Sequence, residues 1–135
     1  MEIQEKWKHH CRSELIFVVD DDYDVRQSLT FFLEVEGFQV LAFPNAKKLL
    51  NFNECGNAEC FIIDYKMQPI DGIELAESLR HIGIKAPIIL ITGFPDMRIE
   101  AKAKAVGVST VLLKPHLEDS VVRSLREVLA AKESL

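Results

Sequence analysis

Leu15-Ile16-Phe17-Val18-Val19 is an unbroken apolar, largely β-branched run that stops abruptly at Asp20-Asp21-Asp22. Similar short runs recur at Phe61-Ile62-Ile63, Ile88 to Ile91 and Val111 to Leu113. Apolar character that is continuous rather than alternating is what parallel strands require when both of their faces are covered. Phe38 to Phe43 is a fifth candidate, and Gln39 within it reads as the mark of an edge strand.

The segments between these runs have the helical period. Val25, Leu29, Phe32 and Leu33 share one face, as do Ile73, Leu75, Ala76, Leu79 and Ile82. A short helix is expected over Ala46 to Phe52 behind Asn45, and another over Met97 to Val106 behind Asp96, since both residues suit an N-cap. Gly37, Gly83 and Gly107 stand where helices would end. A last helix aligns Leu117, Val121, Val122, Leu125, Val128 and Leu129. Strand and helix thus alternate five times, which predicts a parallel sheet with helices on both faces and right-handed crossovers.

A chain of 135 residues builds one domain with a core large enough to need no staple. The expected layout is a flexible N-terminal tail over 1–13, the domain over 14–131 and a short C-terminal end over 132–135. Five strands in this pattern take the doubly wound order 2-1-3-4-5, the α/β three-layer sandwich of flavodoxin-like folds, with a crevice at the carboxyl ends of the first and third strands. Hydrophobic residues make up 48% and charged residues 27%, a globular balance. The formal net charge of -5 argues against direct nucleic-acid binding, which needs clustered Lys and Arg. No apolar run reaches the ~18 residues of a membrane span, and the first residues are too polar for a signal peptide. Cys11, Cys55 and Cys60 are odd in number and lack paired metal spacing, so reduced thiols and a cytoplasmic location are expected.

The crevice of such a sheet receives Asp20, Asp21 and Asp22 from one strand end and Asp64 from the other. Carboxylates crowded together repel, and at least one pKa rises unless a cation sits among them. Magnesium suits the case because it takes oxygen ligands and is commonly shared with a phosphate. Thr92 and Lys114 end the fourth and fifth strands, a hydroxyl and an ammonium within reach of phosphate oxygens. Nucleophile, metal cradle, cation and hydrogen-bond donor together make a phosphoryl-transfer set.

VVDDD, IIDYKM, ITG and LLKP stand in an order and spacing that resembles response-regulator receiver domains of two-component signalling, chemotaxis-regulator-like in type. The intervals are 43 residues from Asp21 to Asp64, 28 from there to Thr92, and 22 more to Lys114. The resemblance covers about Leu15 to Leu129. It implies that Asp64 takes a phosphoryl group from a phosphohistidine. It also implies that Asp20, Asp21, Asp64 and the backbone carbonyl of Lys66 hold Mg2+, Asp20 largely through water. Thr92 would bind the new phosphoryl group, and Lys114 would neutralise one of its oxygens, beside a peptide bond to Pro115 that is often cis in this family. Implied partners are a sensor histidine kinase or phosphotransfer protein, and a downstream protein or an output domain outside this chain; homodimer formation is left open. Such a domain is not an enzyme in the usual sense, since it catalyses only its own phosphorylation and dephosphorylation.

Three departures stand out. Gln68 occupies the place of the usual proline in Met67-Gln68-Pro69, so an altered turn is expected there. Val111 replaces the aromatic residue that often swings inward on activation. Phe94, two residues after Thr92, is bulky enough to shield an acyl phosphate from water and, with Lys66, to tune the signal's lifetime.

Simpler readings exist for each residue. Asp22 fits an N-cap better than a metal ligand, and the other acids could be caps or loop acids. Lys114 could be a solvated surface lysine. His9, His10 and Cys11 read as tail rather than metal site, and Trp7 as a residue that docks that tail. Two other functions remain: a degenerate receiver that only docks or dimerises, and an aspartyl-nucleophile phosphohydrolase. The first should lack an acid or the lysine, and none is missing. The second needs an acid two residues after the nucleophile, where Lys66 stands.

Overall fold

The apolar runs become the strands they predict. The computed structural model describes residues 14–115 and 117–134, and over these five parallel strands alternate with five α-helices. The strands are β1 (Leu15–Val19), β2 (Gln39–Phe43), β3 (Cys60–Asp64), β4 (Ile88–Thr92) and β5 (Thr110–Leu113). The helices are α1 (Tyr23–Val35), α2 (Ala46–Leu50), α3 (Gly72–His81), α4 (Met97–Ala105) and α5 (Leu117–Ser134). The sheet order is β2-β1-β3-β4-β5, as expected. The tail expected over 1–13, with Trp7, His9, His10 and Cys11, lies outside the described residues.

Alternate residues of the central strands feed two separate apolar layers. Phe17, Val19, Phe61, Ile63, Ile88 and Leu90 pack with Leu49 of α2, Leu75, Ala76 and Leu79 of α3, and Ile99 and Ala103 of α4. Ile16, Val18, Cys60, Ile62, Ile89 and Ile91 pack with Leu29 and Leu33 of α1 and Val121, Leu125 and Leu129 of α5. Sealing both faces is why these strands carry no polar alternation. Each fully buried Ile or Leu contributes roughly 1.5–3 kcal/mol of transfer free energy.

The caps follow the sequence. Asp22 accepts from Val25 N at 3.1 Å, Asn45 from Lys48 N at 2.8 Å, and Asp96 from Arg98 N at 2.8 Å. Gly37, Gly83 and Gly107 all have positive φ, the left-handed region in which a residue without Cβ ends a helix at little cost.

Three elements differ from expectation. The helix expected through Phe52 stops at Leu50, and Phe52 instead packs its ring 5.8 Å from Phe17 and 5.5 Å from Phe43. Burying an aromatic ring there outweighs another half-turn of helix. β5 is less covered than its apolar run suggests, with Leu113 49% exposed, because it is the other edge of the sheet and has one neighbour only. Ile82, placed on the apolar stripe of α3, caps that helix and is exposed.

Candidate functional site

Strand register assembles the site. Val19 lies opposite Ile63, so the next residues, Asp20 and Asp64, emerge side by side at the carboxyl ends of β1 and β3. Thr92 lies opposite Leu113, which places Lys114 one step beyond it. The ladder bonds continue past the strands: Asp20 N donates to Phe43 O at 3.1 Å, Tyr65 N to Ile91 O at 2.7 Å, and Lys114 N to Thr92 O at 3.0 Å. The functional backbone is therefore held as rigidly as the sheet.

Asp20, Asp64 and Thr92 are the buried polar residues of this domain among those described, at 4%, 5% and 2% exposure. Asp21 is exposed. Carboxylate oxygens of Asp20, Asp21 and Asp64 all lie within 4.8 Å of one another. Lys114 Nζ stands 3.0 Å from Asp64 Oδ1. Asp20 is fixed twice over: its Oδ1 accepts from Asp22 N at 2.9 Å, and its carbonyl accepts from Arg26 Nη1 at 2.8 Å. Thr92 Oγ1 accepts from Phe94 N at 3.1 Å, which leaves its own proton to donate elsewhere. The Lys66 ammonium rests 5.5 Å from the Phe94 ring centre, bridging the loops after β3 and β4.

Electrostatics mark the pocket as short of positive charge. Burial pushes the Asp20 carboxyl up to about 6; the Asp22 amide opposes this, while the charges of Asp64 and Asp21 add to it. Asp64 is also raised, by burial first and by Asp21 and Asp22, against the hydrogen bond and charge of Lys114. Burial pulls the Lys114 ammonium down, but its bond to Asp64 and the charges of Asp64, Asp20 and Asp22 outweigh it, and its pKa stands raised. One ammonium faces three clustered acids. An oxygen-only donor set with surplus negative charge suits a hard divalent cation such as Mg2+.

The sequence reading missed what holds the acceptor loop. Gly72 N donates to Tyr65 O at 2.8 Å, and a Cβ on Gly72 would stand 2.5 Å from the Asp64 carbonyl and 2.7 Å from Leu90 Cδ1. Here absence of a side chain, not a special φ, brings α3 against the acceptor strand. Asp71 caps α3 in a reciprocal box with Glu74, at 2.8 and 2.9 Å, a D-x-x-E signal that was legible. Pro69 joins Gln68 through a cis bond, as Pro115 joins Lys114. The displaced proline leaves Asp64 in place at the end of its strand.

The family model for the response regulator receiver domain matches residues 16–126. The chain belongs to that family. Among curated relatives, this receiver is 31% identical over 120 residues to the transcriptional regulatory protein TdiR of Thauera aromatica, covering 89% of the chain and 53% of the relative. It is 30% identical over 118 residues to the transcriptional regulatory protein FixJ of Bradyrhizobium diazoefficiens, covering 87% of the chain and 58% of the relative. The chain thus spans about half the length of the curated relatives it matches. Among solved structures, chemotaxis protein CheY4 of Vibrio cholerae superposes with a TM-score of 0.80 at 23% identity, over 86% of this chain and 98% of that one. Response regulator TrrA of Thermotoga maritima, solved with Mg2+ and a beryllium fluoride, superposes with a TM-score of 0.76 at 27% identity, over 85% and 98%. This receiver is a signalling phosphoacceptor domain of the two-component type, with its acidic pocket intact. Among the described residues, no helix is long and apolar enough to cross a membrane.

Proposed function

We propose that Asp64 accepts a phosphoryl group from the phosphohistidine of a sensor histidine kinase or phosphotransfer protein. The reading is carried by one observation: a buried strand-end carboxylate with an ammonium 3.0 Å away and two further acids within 4.8 Å. An Asp64 carboxylate oxygen attacks phosphorus, the P–N bond breaks, and the leaving imidazole takes up a proton. Asp20, Asp21, Asp64 and the backbone carbonyl of Lys66 hold Mg2+, whose chemistry here is to neutralise charge on the acids and the phosphoryl oxygens.

Lys114, already on Asp64 Oδ1, stays beside the oxygen that becomes part of the acyl phosphate and offers its charge to the incoming phosphoryl group. Thr92 donates its hydroxyl proton to that group. A hydrogen bond to a charged acceptor is worth roughly 1.5–3 kcal/mol, enough to move a two-state loop by one or two powers of ten. The outcome is altered binding to a downstream protein, to an output domain outside this chain, or to a second copy as a homodimer. No direct nucleic-acid contact is assigned to an acidic domain such as this, and a cytoplasmic setting fits a phosphohistidine donor. The domain spanning about 14–131 catalyses only its own phosphorylation and dephosphorylation.

The test is intact mass after incubation with Mg2+ and acetyl phosphate, with and without a chelator. Wild type should gain one phosphoryl group, and Asp64→Asn should gain none while keeping its fold. A folded wild type that gains nothing, or an Asp64→Asn variant labelled like wild type, overturns the reading.

A further inference from the structure

α4 is held unequally along its length. Its C-terminal foot is closed by a Schellman arrangement: Val108 N donates to Ala103 O at 2.9 Å and Gly107 N to Lys104 O at 3.0 Å, with Gly107 at φ +89. Val108 and Ala103 are both buried beneath it. The opposite end, nearest the site, enters the core through Ile99 alone. Met97 is 82% exposed and Phe94 51%, and α4 buries only Ile99 and Ala103.

Arg80, in the last turn of α3, gathers the foot. Its Nη1 donates to the carbonyls of Ile84 and Ala86, and its Nη2 to that of Gly107, all at 2.8 Å. One planar guanidinium therefore ties the end of α3, the approach to β4 and the turn after α4. Among the described residues no carboxylate pairs with it, so all three acceptors are backbone carbonyls. A Cβ at Gly107 would stand 3.0 Å from Arg80 Nε, so the glycine serves both the backbone turn and the approach of the guanidinium. A lysine, a single point charge, cannot span three separated carbonyls in this way.

The loose end of α4 is wired to the site. Thr92 Oγ1 accepts from Phe94 N at 3.1 Å, Phe94 O accepts from Asp96 N at 2.9 Å, and Asp96 caps the helix through Arg98 N at 2.8 Å. We infer that Arg80 is the fulcrum of α4: it pins the foot to α3, so that a change at Thr92 tilts the helix about Gly107 rather than releasing it. For its trigger the inference rests on the phosphoacceptor reading. Arg80 touches no reacting atom and is a positioning residue.

Residue-resolved hydrogen exchange by NMR on the full chain tests this, with Mg2+ and with or without acetyl phosphate. In wild type, phosphorylation should alter exchange over residues 94–99 and leave the amides of Val106, Gly107 and Val108 within about twofold. Unphosphorylated Arg80→Met should lose about tenfold or more protection at those three amides, relative to the strands of the sheet. Its phosphorylation-dependent changes should then run the whole length of α4. Arg80→Lys should resemble Arg80→Met, and it carries the test if the methionine variant does not fold. Three results overturn the fulcrum: wild-type protection at the foot in both variants, acceleration spread evenly over the domain, or a wild-type foot that responds to phosphorylation as strongly as residues 94–99. Mass spectra of the same samples separate the failures. A wild type without a phosphoryl group refutes the phosphoacceptor reading and the lever with it, whereas a phosphorylated one with a moving foot refutes the lever alone.

Discussion

Replacing Asp20 by Asn should stabilise the metal-free domain at neutral pH. The Asp20 carboxyl is raised from an ordinary 3.8 to about 6, first by burial, so its ionised form is disfavoured in the folded chain. A difference of about two pH units corresponds to at most about 3 kcal/mol at 1.36 kcal/mol per unit. Solvent screening at the pocket mouth lowers the expected gain to roughly 1–2 kcal/mol. Asn keeps the acceptor for Asp22 N, which now stands 2.9 Å from Oδ1, and leaves the backbone carbonyl that Arg26 binds. The sign follows from which state holds the proton. Below about pH 3.8 both folded and unfolded chains carry it and Asp20 costs nothing. Between 3.8 and about 6 only the folded chain keeps it, so wild-type stability falls as pH rises; above that the full penalty is constant. Urea titrations in chelator at pH 4 and pH 7 should therefore show a variant advantage that is small at the first and about 1–2 kcal/mol at the second. Magnesium should reverse the order if the proposed ligand set holds, since a ligand at a hundred times its Kd stabilises wild type by about 2.7 kcal/mol and the variant would lose one of the carboxylates proposed to hold the ion. A variant less stable than wild type in chelator at pH 7, or an advantage independent of pH, would refute this account of the pocket.

Gly72→Ala should cost about 2–3 kcal/mol in a urea titration and slow phosphoryl uptake, because its Cβ would lie 2.5 Å from backbone that cannot yield. Lys114→Ala should keep the fold but cut the rate of phosphorylation from acetyl phosphate about tenfold or more, and push the Asp64 carboxyl still higher, measurable by NMR titration without metal. Phe94→Ala, which removes the ring under the Lys66 ammonium, should give a phosphorylated form whose lifetime in a mass time course is several-fold shorter than that of wild type; an unchanged lifetime would mean the ring does not screen the acyl phosphate.

Much of the fold was legible because its causes are local. Strands sealed on both faces demand unbroken apolar runs, and helices demand the 3.6 period with caps such as Asp22, Asn45 and Asp96; each signal lies within a dozen residues. The candidate site was legible for a related reason: a parallel sheet delivers every strand's carboxyl end to the same edge, so residues that end runs must meet. Phe52 and β5 were misjudged where neighbours distant in sequence decide, through an aromatic cluster and an edge with one partner, whereas Ile82 falls on the C-cap of α3, just ahead of Gly83.

Sequence alone therefore determined the strand–helix alternation and the residue types at the crevice. Only the tertiary structure decided that Asp20 is buried while adjacent Asp21 is exposed, and that Lys114 pairs with Asp64. It also decided that Gly72 must lack a side chain and that Arg80 gathers three carbonyls. Burial, charge pairing and close packing depend on groups brought together across tens of residues, and no local pattern encodes those distances.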